Sequence, residues 1–250
     1  MFTTVAWAEN KNLGGARAPI DAVPDQHVKT AGDLVYVPSF NYLMGGAAFI
    51  GTNAEEARFV SPSLRRVNPS YIVPISAQLE GQGNDDAAVR NNTAIQLTED
   101  EGLEVEAIAT PGAAERIAVI GFLSDGEVNP VKGKIITVHF TFNVALVASA
   151  WAFAEIVFDD ELPVGAYDIV GAHFIVDNAY AGRFVLVGAS HRPGCPTVDA
   201  DSDTTLQTFR QGNLGVWGTF HTQTPPGMEI IANQAVAAAD YDAYMDIIPR

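Results

Sequence analysis

The chain has 250 residues, with 30 Asp+Glu against 14 Lys+Arg and a formal net charge of −16 at pH 7. With four lysines (Lys11, Lys29, Lys132, Lys134) it offers no general polyanion-binding surface, which disfavours a DNA- or RNA-binding module. At 48 % hydrophobic, with 22 Gly and 14 Pro, it is too apolar for a disordered acidic chain and too rich in turn formers for a helical bundle.

Met1 to Glu9 lacks a basic leader and carries an acid where a signal peptide is apolar, so no secretory signal is expected. Residues 1–66 hold six basic and six acidic side chains, are rich in Gly and Pro, and show only short extended patches such as Leu34–Val37. They read as an extended, charge-neutral N-terminal arm with the first strands. All of the −16 then lies in residues 67–250, where eight bases face 24 acids. Helical turns are expected around Ala54–Arg58 and Ala235–Ala239.

Beyond Ser70 the apolar period is two. Leu103, Val105 and Ala107 alternate with Glu104 and Glu106, and Ile117–Ile120 follows before the turn Ser124-Asp125-Gly126. The clearest strand runs from Lys134 to Leu146: Ile136, Val138, Phe140, Phe142, Val144 and Leu146 fall on one face, Thr137, His139, Thr141 and Asn143 on the other. Further strands are expected at Ala154–Phe158, Tyr167–Val176, Arg183–Val187, Gly215–Phe220, Met228–Ile231 and Tyr244–Ile248, separated by Pro- and Gly-bearing turns. The apolar stretch Val144–Ala154 ends at Glu155, short of the roughly 18 residues a membrane-spanning helix needs. About a dozen strands fit one elaborated sandwich or two side by side. An echo between Ala114–Gly121 and Ala181–Gly188 points to duplication or to generic strand composition.

Chemistry is sparse. None of the five histidines (His27, His139, His173, His191, His221) lies in a metal-protease spacing, and no serine sits in G-x-S-x-G. Ser190-His191 and Cys195 share a turn, read as a surface turn with a small buried thiol rather than a nucleophile and its base. His139, on the polar face of its strand, reads as a surface or inter-subunit hydrogen-bonding group. Asp199, Asp201 and Asp203 place carboxylates at alternate loop positions, which suits Ca2+; Thr204 and Arg210 stand where an EF-hand needs Gly and Glu, so a solvated acidic loop is the preferred reading. No cofactor is required and no enzyme signature is present. Candidate interface residues are Arg65 and Arg66 at the end of the arm, and Trp151, Trp217 and Phe220, which sit in apolar or Gly-rich aromatic stretches.

The succession Leu162-Pro163-Val164-Gly165-Ala166-Tyr167-Asp168-Ile169-Val170-Gly171, then Gly182-Arg183-Phe184-Val185-Leu186-Val187, His191-Arg192-Pro193-Gly194 and the Phe209–Phe220 stretch resembles jelly-roll major capsid proteins of tailless icosahedral viruses, the small double jelly-roll class above all. The likeness is one of architecture, length and texture over about residues 67–250. It implies an all-β fold, an antiparallel jelly-roll sandwich: two tandem jelly rolls at 67–133 (taking in strands from 31–60) and 134–250, behind the arm at 1–66. A single jelly roll with a long arm is the variant. It further implies a trimer that tiles into a closed shell in the virion, with other virion proteins and an internal lipid membrane as partners, and no catalytic residues. A neutral arm supplies no charge against a genome, so another component would neutralise it. The competing reading is a β-sandwich carbohydrate-binding or adhesion protein on a particle or cell surface.

Overall fold

The strand with the clearest alternation anchors one half of the molecule. The structure, a computed structural model, describes residues 1–12, 15–50, 54–67, 88–89, 93–109, 115–126, 128–198, 207–232 and 234–250. In chain order the elements of the first half are β1 (Phe2–Lys11), β2 (Ala18–Pro19), β3 (Thr30–Ala31), β4 (Leu34–Tyr36), β5 (Tyr42–Ile50), β6 (Ala54–Val60), α1 (Pro62–Val67), β7 (Ala88–Val89), β8 (Ile95–Gln96), β9 (Gly102–Ala109) and β10 (Glu115–Ser124). The second half carries β11 (Ile136–Leu146), β12 (Trp151–Phe158), β13 (Ala166–Ile175), β14 (Ala179–Val185), β15 (Gly194–Val198), β16 (Gly218–His221), β17 (Gly227–Ala232) and β18 (Val236–Pro249), with a 3-10 turn at Gln207–Phe209. The fold is all-β.

In the second half the strands follow the order β15-β14-β17-β12-β11-β18-β13-β16. All these pairings are antiparallel, and a short parallel pairing, Phe174 with Thr197 and Ile175 with Val198, joins β13 back to β15. Seven strands thus close into a barrel-like wall, with β16 continuing along the free part of β13. Alternation on β11 places Phe140, Phe142, Val144 and Leu146 inside, against Phe174, Phe184 and Ile230. Thr137, His139, Thr141 and Asn143 line the outer face, as their spacing requires.

In the first half one sheet runs β1-β10-β5, with β7 and β8 both pairing on β5. The other is built on β9, which pairs with β6 along one edge and with β2 and β4 along the other; β3 follows β4. Between the two sheets lies a core that includes Val5, Trp7, Phe59, Leu103, Val105 and Val119.

The expected N-terminal arm is corrected here. Its opening strand β1 pairs along its whole length with β10, from Phe2–Ser124 to Lys11–Glu115, and Phe2 to Ala8 are buried. The expected border at residue 66/67 is crossed by the pairings β1–β10, β5–β10 and β6–β9, so the described residues on its two sides, up to Ser124, belong to one unit. The segments expected as helical are strands: 54–58 lies in β6 and 236–239 opens β18, while the helix lies at Pro62–Val67. The echo between 114–121 and 181–188 relates the unlike strands β10 and β14, one pairing with β1 and β5, the other with β15 and β17.

β1 has no period-two signature because both of its faces are buried. Val5 and Trp7 point into the first core, whereas Phe2, Ala6 and Ala8 join Ile120, Phe122, Met44 and Phe49 in an apolar layer continuous with the second core. Through this layer the units are joined: Phe2 meets Trp217 edge-on at 5.1 Å between ring centres, Phe122 meets Phe209 at 5.2 Å and Phe49 meets Tyr180 at 5.1 Å.

Candidate functional site

Around that apolar layer lies a polar rim centred on Arg183. The residue stands on β14 directly opposite Glu229 of β17 and donates from Nε to Glu229 Oε2 at 2.7 Å. Its Nη1 donates to the Thr4 carbonyl at 2.9 Å and to Asp25 Oδ2 at 2.5 Å, both in the first unit. The guanidinium carbon lies 3.9 Å from the ring centre of Trp151, and the whole residue is 1 % exposed. A buried cation is tolerated here because two carboxylates, a carbonyl and a π-face surround it. Burial alone would raise the Asp25 carboxyl, but the Arg183 charge and hydrogen bond, with the His27 and Val28 amides, hold it below its ordinary range. Beside this cluster the Thr4 amide donates to the Arg192 carbonyl at 2.8 Å and the Arg192 amide donates to Thr3 Oγ1 at 3.1 Å. Arg192 Nη2 donates to the His27 ring.

A second buried cluster holds Arg210 and Gln211, ahead of β16. Asp246 on β18, fully buried, accepts from Arg210 Nε and Nη2 at 2.8 and 2.9 Å, from Thr137 Oγ1 at 2.7 Å and from the Gln211 amide at 2.8 Å. Gly171 on the neighbouring strand permits this approach: a Cβ there would stand 2.7 Å from Asp246 Oδ2. Burial would raise the Asp246 carboxyl, yet the hydrogen bonds from Arg210, Thr137 and Gln211 hold it low.

Beyond that cluster the outer face of β12, β11 and β18 is open, with Asp242 and Tyr244 exposed. His139 lies between two carboxylates, with Nδ1 against Asp159 and Nε2 3.1 Å from Asp242, and its ring packs on Tyr244 at 4.9 Å. Asn143 donates to Asp240 Oδ1 at 2.7 Å. Val157 on β12, opposite Thr141, is 62 % exposed, and Phe153, against Gly227 of β17, is 57 % exposed. A mixed surface of aromatic, aliphatic and acidic groups suits contact with another protein surface.

The residues singled out from sequence fall in different places. Trp217 is fully buried, between Phe2, Phe184 and Phe209, and Trp151 is half-buried under Arg183; both serve the junction between the units inside one chain. Phe220 is buried too, stacked on Tyr167 and Phe158 within the second unit. Arg65 is exposed on α1, and Arg66 follows it on the same helix. Asp199, Asp201 and Asp203 lie outside the described residues; among the described residues no group of three or more His, Cys, Asp or Glu could hold a metal. His191 and Cys195 are not brought together. His191 donates from Nε2 to the Trp217 carbonyl at 2.8 Å, while Cys195, fully buried, donates to the Ala172 carbonyl at 3.7 Å. Burial pushes the Cys195 thiol far up, away from the thiolate a nucleophile needs. No described helix is long and apolar enough to cross a membrane.

Sequence reasoning missed Arg183, Asp25, Glu229 and the burial of β1. One signal was present. Ala57-Arg58-Phe59-Val60 and Gly182-Arg183-Phe184-Val185 stand 125 residues apart, half the length of the chain. In the structure they are matching stretches of β6 and β14: Arg58 stands opposite Glu106 of β9 and donates to its Oε2 from Nε at 2.7 Å, the geometry of Arg183 and Glu229. Comparison of the chain with protein-family models, with curated proteins and with solved structures found no match.

Proposed function

We propose that this chain is a structural virion protein: a major capsid (coat) protein of two tandem jelly rolls that assembles as trimers into an icosahedral shell. The observation that supports the reading is a strand order of the second half that recurs in part in the first. Numbered along the chain, the eight strands of the second unit run 5-4-7-2-1-8-3-6, so that 1-8-3-6 and 2-7-4-5 are two runs of one wall, joined where the first strand pairs with the second. We read these two runs as eight strands rolled up as two Greek keys. In the first unit β1, β10, β5 and the β7/β8 edge repeat the first run, while β2, β9 and β6 repeat three strands of the second. The Arg58–Glu106 and Arg183–Glu229 pairs mark the same place in each copy.

Fold alone assigns no function, since jelly rolls also serve as lectins and cupins. The tandem arrangement favours a coat. Two such units joined through an apolar layer suit tiling rather than the holding of a small ligand. The tryptophans that a sugar-binding platform would present are committed elsewhere: Trp7 and Trp217 are fully buried and Trp151 lies under Arg183. The net charge of −16 keeps such a chain apart from nucleic acid, so other virion components, a basic protein or an internal membrane, would face the genome. Native mass spectrometry and negative-stain imaging of the purified chain test the reading. Trimers and closed shells are expected; a monomer at every concentration refutes it.

A further inference from the structure

The junction inside the chain is asymmetric. The first unit contributes an outer sheet face, β1-β10-β5, together with Asp25 from the segment after β2; the second contributes the flank around β14, with Arg183. Each unit also carries the counterpart of what the other uses. β1 begins at Phe2 and its counterpart β11 at Ile136, 134 residues later, and the same 134 residues separate Asp25 from Asp159. Asp25 lies in the segment after the second strand of its unit, and Asp159 directly follows β12, the second strand of the other. The Asp159 side chain is 50 % exposed on the open β11–β18 face, beside His139. Arg58, the counterpart of Arg183, stands with Glu106 on the flank of the first unit, both side chains partly exposed.

We propose that copies of this chain join head to tail through these two surfaces, so that Arg58 of one copy pairs with Asp159 of the next as Arg183 pairs with Asp25 inside the chain. The second unit's face is the sheet that the first unit uses for docking, and the first unit's flank is the one the second unit offers. Neither surface is complementary to itself, so the contact is heterologous, and a ring forms where the rotation closes. That the ring holds three copies rests on the coat-protein reading above. The two versions differ in chemistry as their histories require. The internal face is apolar, with Phe2, Ile120 and Phe122, and never meets water once the chain has folded. The face on the second unit carries His139, Thr141, Asp242 and Tyr244, which stay solvated until a neighbour arrives.

A double-mutant cycle on the full chain reads this directly: Arg58→Met, Asp159→Asn and the double variant, with the monomer–trimer equilibrium followed by sedimentation and folding by circular dichroism. Each single change is expected to weaken the trimer about tenfold or more, and the double variant is expected to be no weaker than the worse single one. Because removing Arg58 also frees Glu106, an Arg58→Cys/Asp159→Cys variant supplies an independent reading, with the natural Cys195 buried and silent. Oxidation is expected to link copies covalently up to the closed ring. A trimer that forms normally but shows neither coupling nor cross-links overturns the Arg58–Asp159 contact and leaves the coat-protein reading standing. A wild-type chain that stays monomeric overturns both.

Discussion

Arg58 and Arg183 hold equivalent places in two successive units: each donates from Nε to a glutamate directly across an antiparallel pair, at 2.7 Å in both cases. They differ in what completes them. Arg183 is sealed by Asp25, the Thr4 carbonyl and Trp151, whereas Arg58 and Glu106 keep partial access to solvent. The same chemical pair is thus a buried joint in one unit and a surface feature in the other.

That difference predicts unequal energetics. Arg183→Ala leaves Asp25 and Glu229 buried around a lost cation, at a cost of about 3–5 kcal/mol. Arg58→Ala removes a partly exposed pair and is expected to cost about 1 kcal/mol or less. Urea unfolding of both variants checks this, and equal losses would contradict the burial argument.

Removal of residues 1–11 separates a buried strand from a dispensable arm. β1 pairs with β10 along its length and supplies Trp7 to one core and Phe2 to the layer between the units. The truncated chain is expected to lose cooperative unfolding in calorimetry and to expose apolar surface to a dye such as ANS. Retention of the wild-type melting profile would show that β1 is peripheral.

Three histidines sit below their ordinary value of 6.5: His191 and His173 chiefly by burial, and His27 by burial and then by the Arg192 charge. A lowered folded value means that the unfolded chain takes the proton more readily. Their contribution is therefore complete above pH 6.5 and is lost as pH falls through the folded values. The stability gap between wild type and His191→Asn is expected to narrow between about pH 7.5 and 5.5. Asp25 and Asp246, lowered from 3.8, behave likewise further down: the gap to Asp25→Asn closes as pH drops below that value. A His191→Asn gap that widens on acidification would contradict the assignment.

Cys195 is fully buried, and its thiol is held protonated. An aromatic disulfide reagent at pH 8 is expected to leave it unmodified in the folded chain and to titrate one thiol per chain in denaturant. Rapid modification of the folded protein would place the β15 edge in contact with solvent.

The second unit was legible in the sequence where its strands have one wet and one dry face, on β11 and β12; β14 and β15 are buried along their length. β11 shows this plainly, with Thr137, His139, Thr141 and Asn143 outward and Phe140, Phe142 and Val144 inward. The first unit was obscured by the junction itself. β1 and β5 are dry on both faces, so Phe2–Ala8 and Leu43–Phe49 lack the alternation that marks a strand, and Gly45-Gly46 reads as loop. At Gly46 a Cβ would stand 2.3 Å from the Ile120 carbonyl, which explains a glycine inside a strand. The Arg183 cluster was hidden for another reason: Asp25, Arg183 and Glu229 are far apart in sequence and meet only once both units have folded. The repeated Arg-Phe-Val at 58–60 and 183–185 was the one local trace of it.

The coat-protein function proposed above requires that copies of this chain form trimers that build a shell. Its most direct test is the mass of the purified full-length chain in solution across a wide concentration range, by sedimentation or native mass spectrometry, with imaging of the largest species. A stable trimer that converts to closed shells is expected. A homogeneous monomer at the highest concentration reached would contradict it.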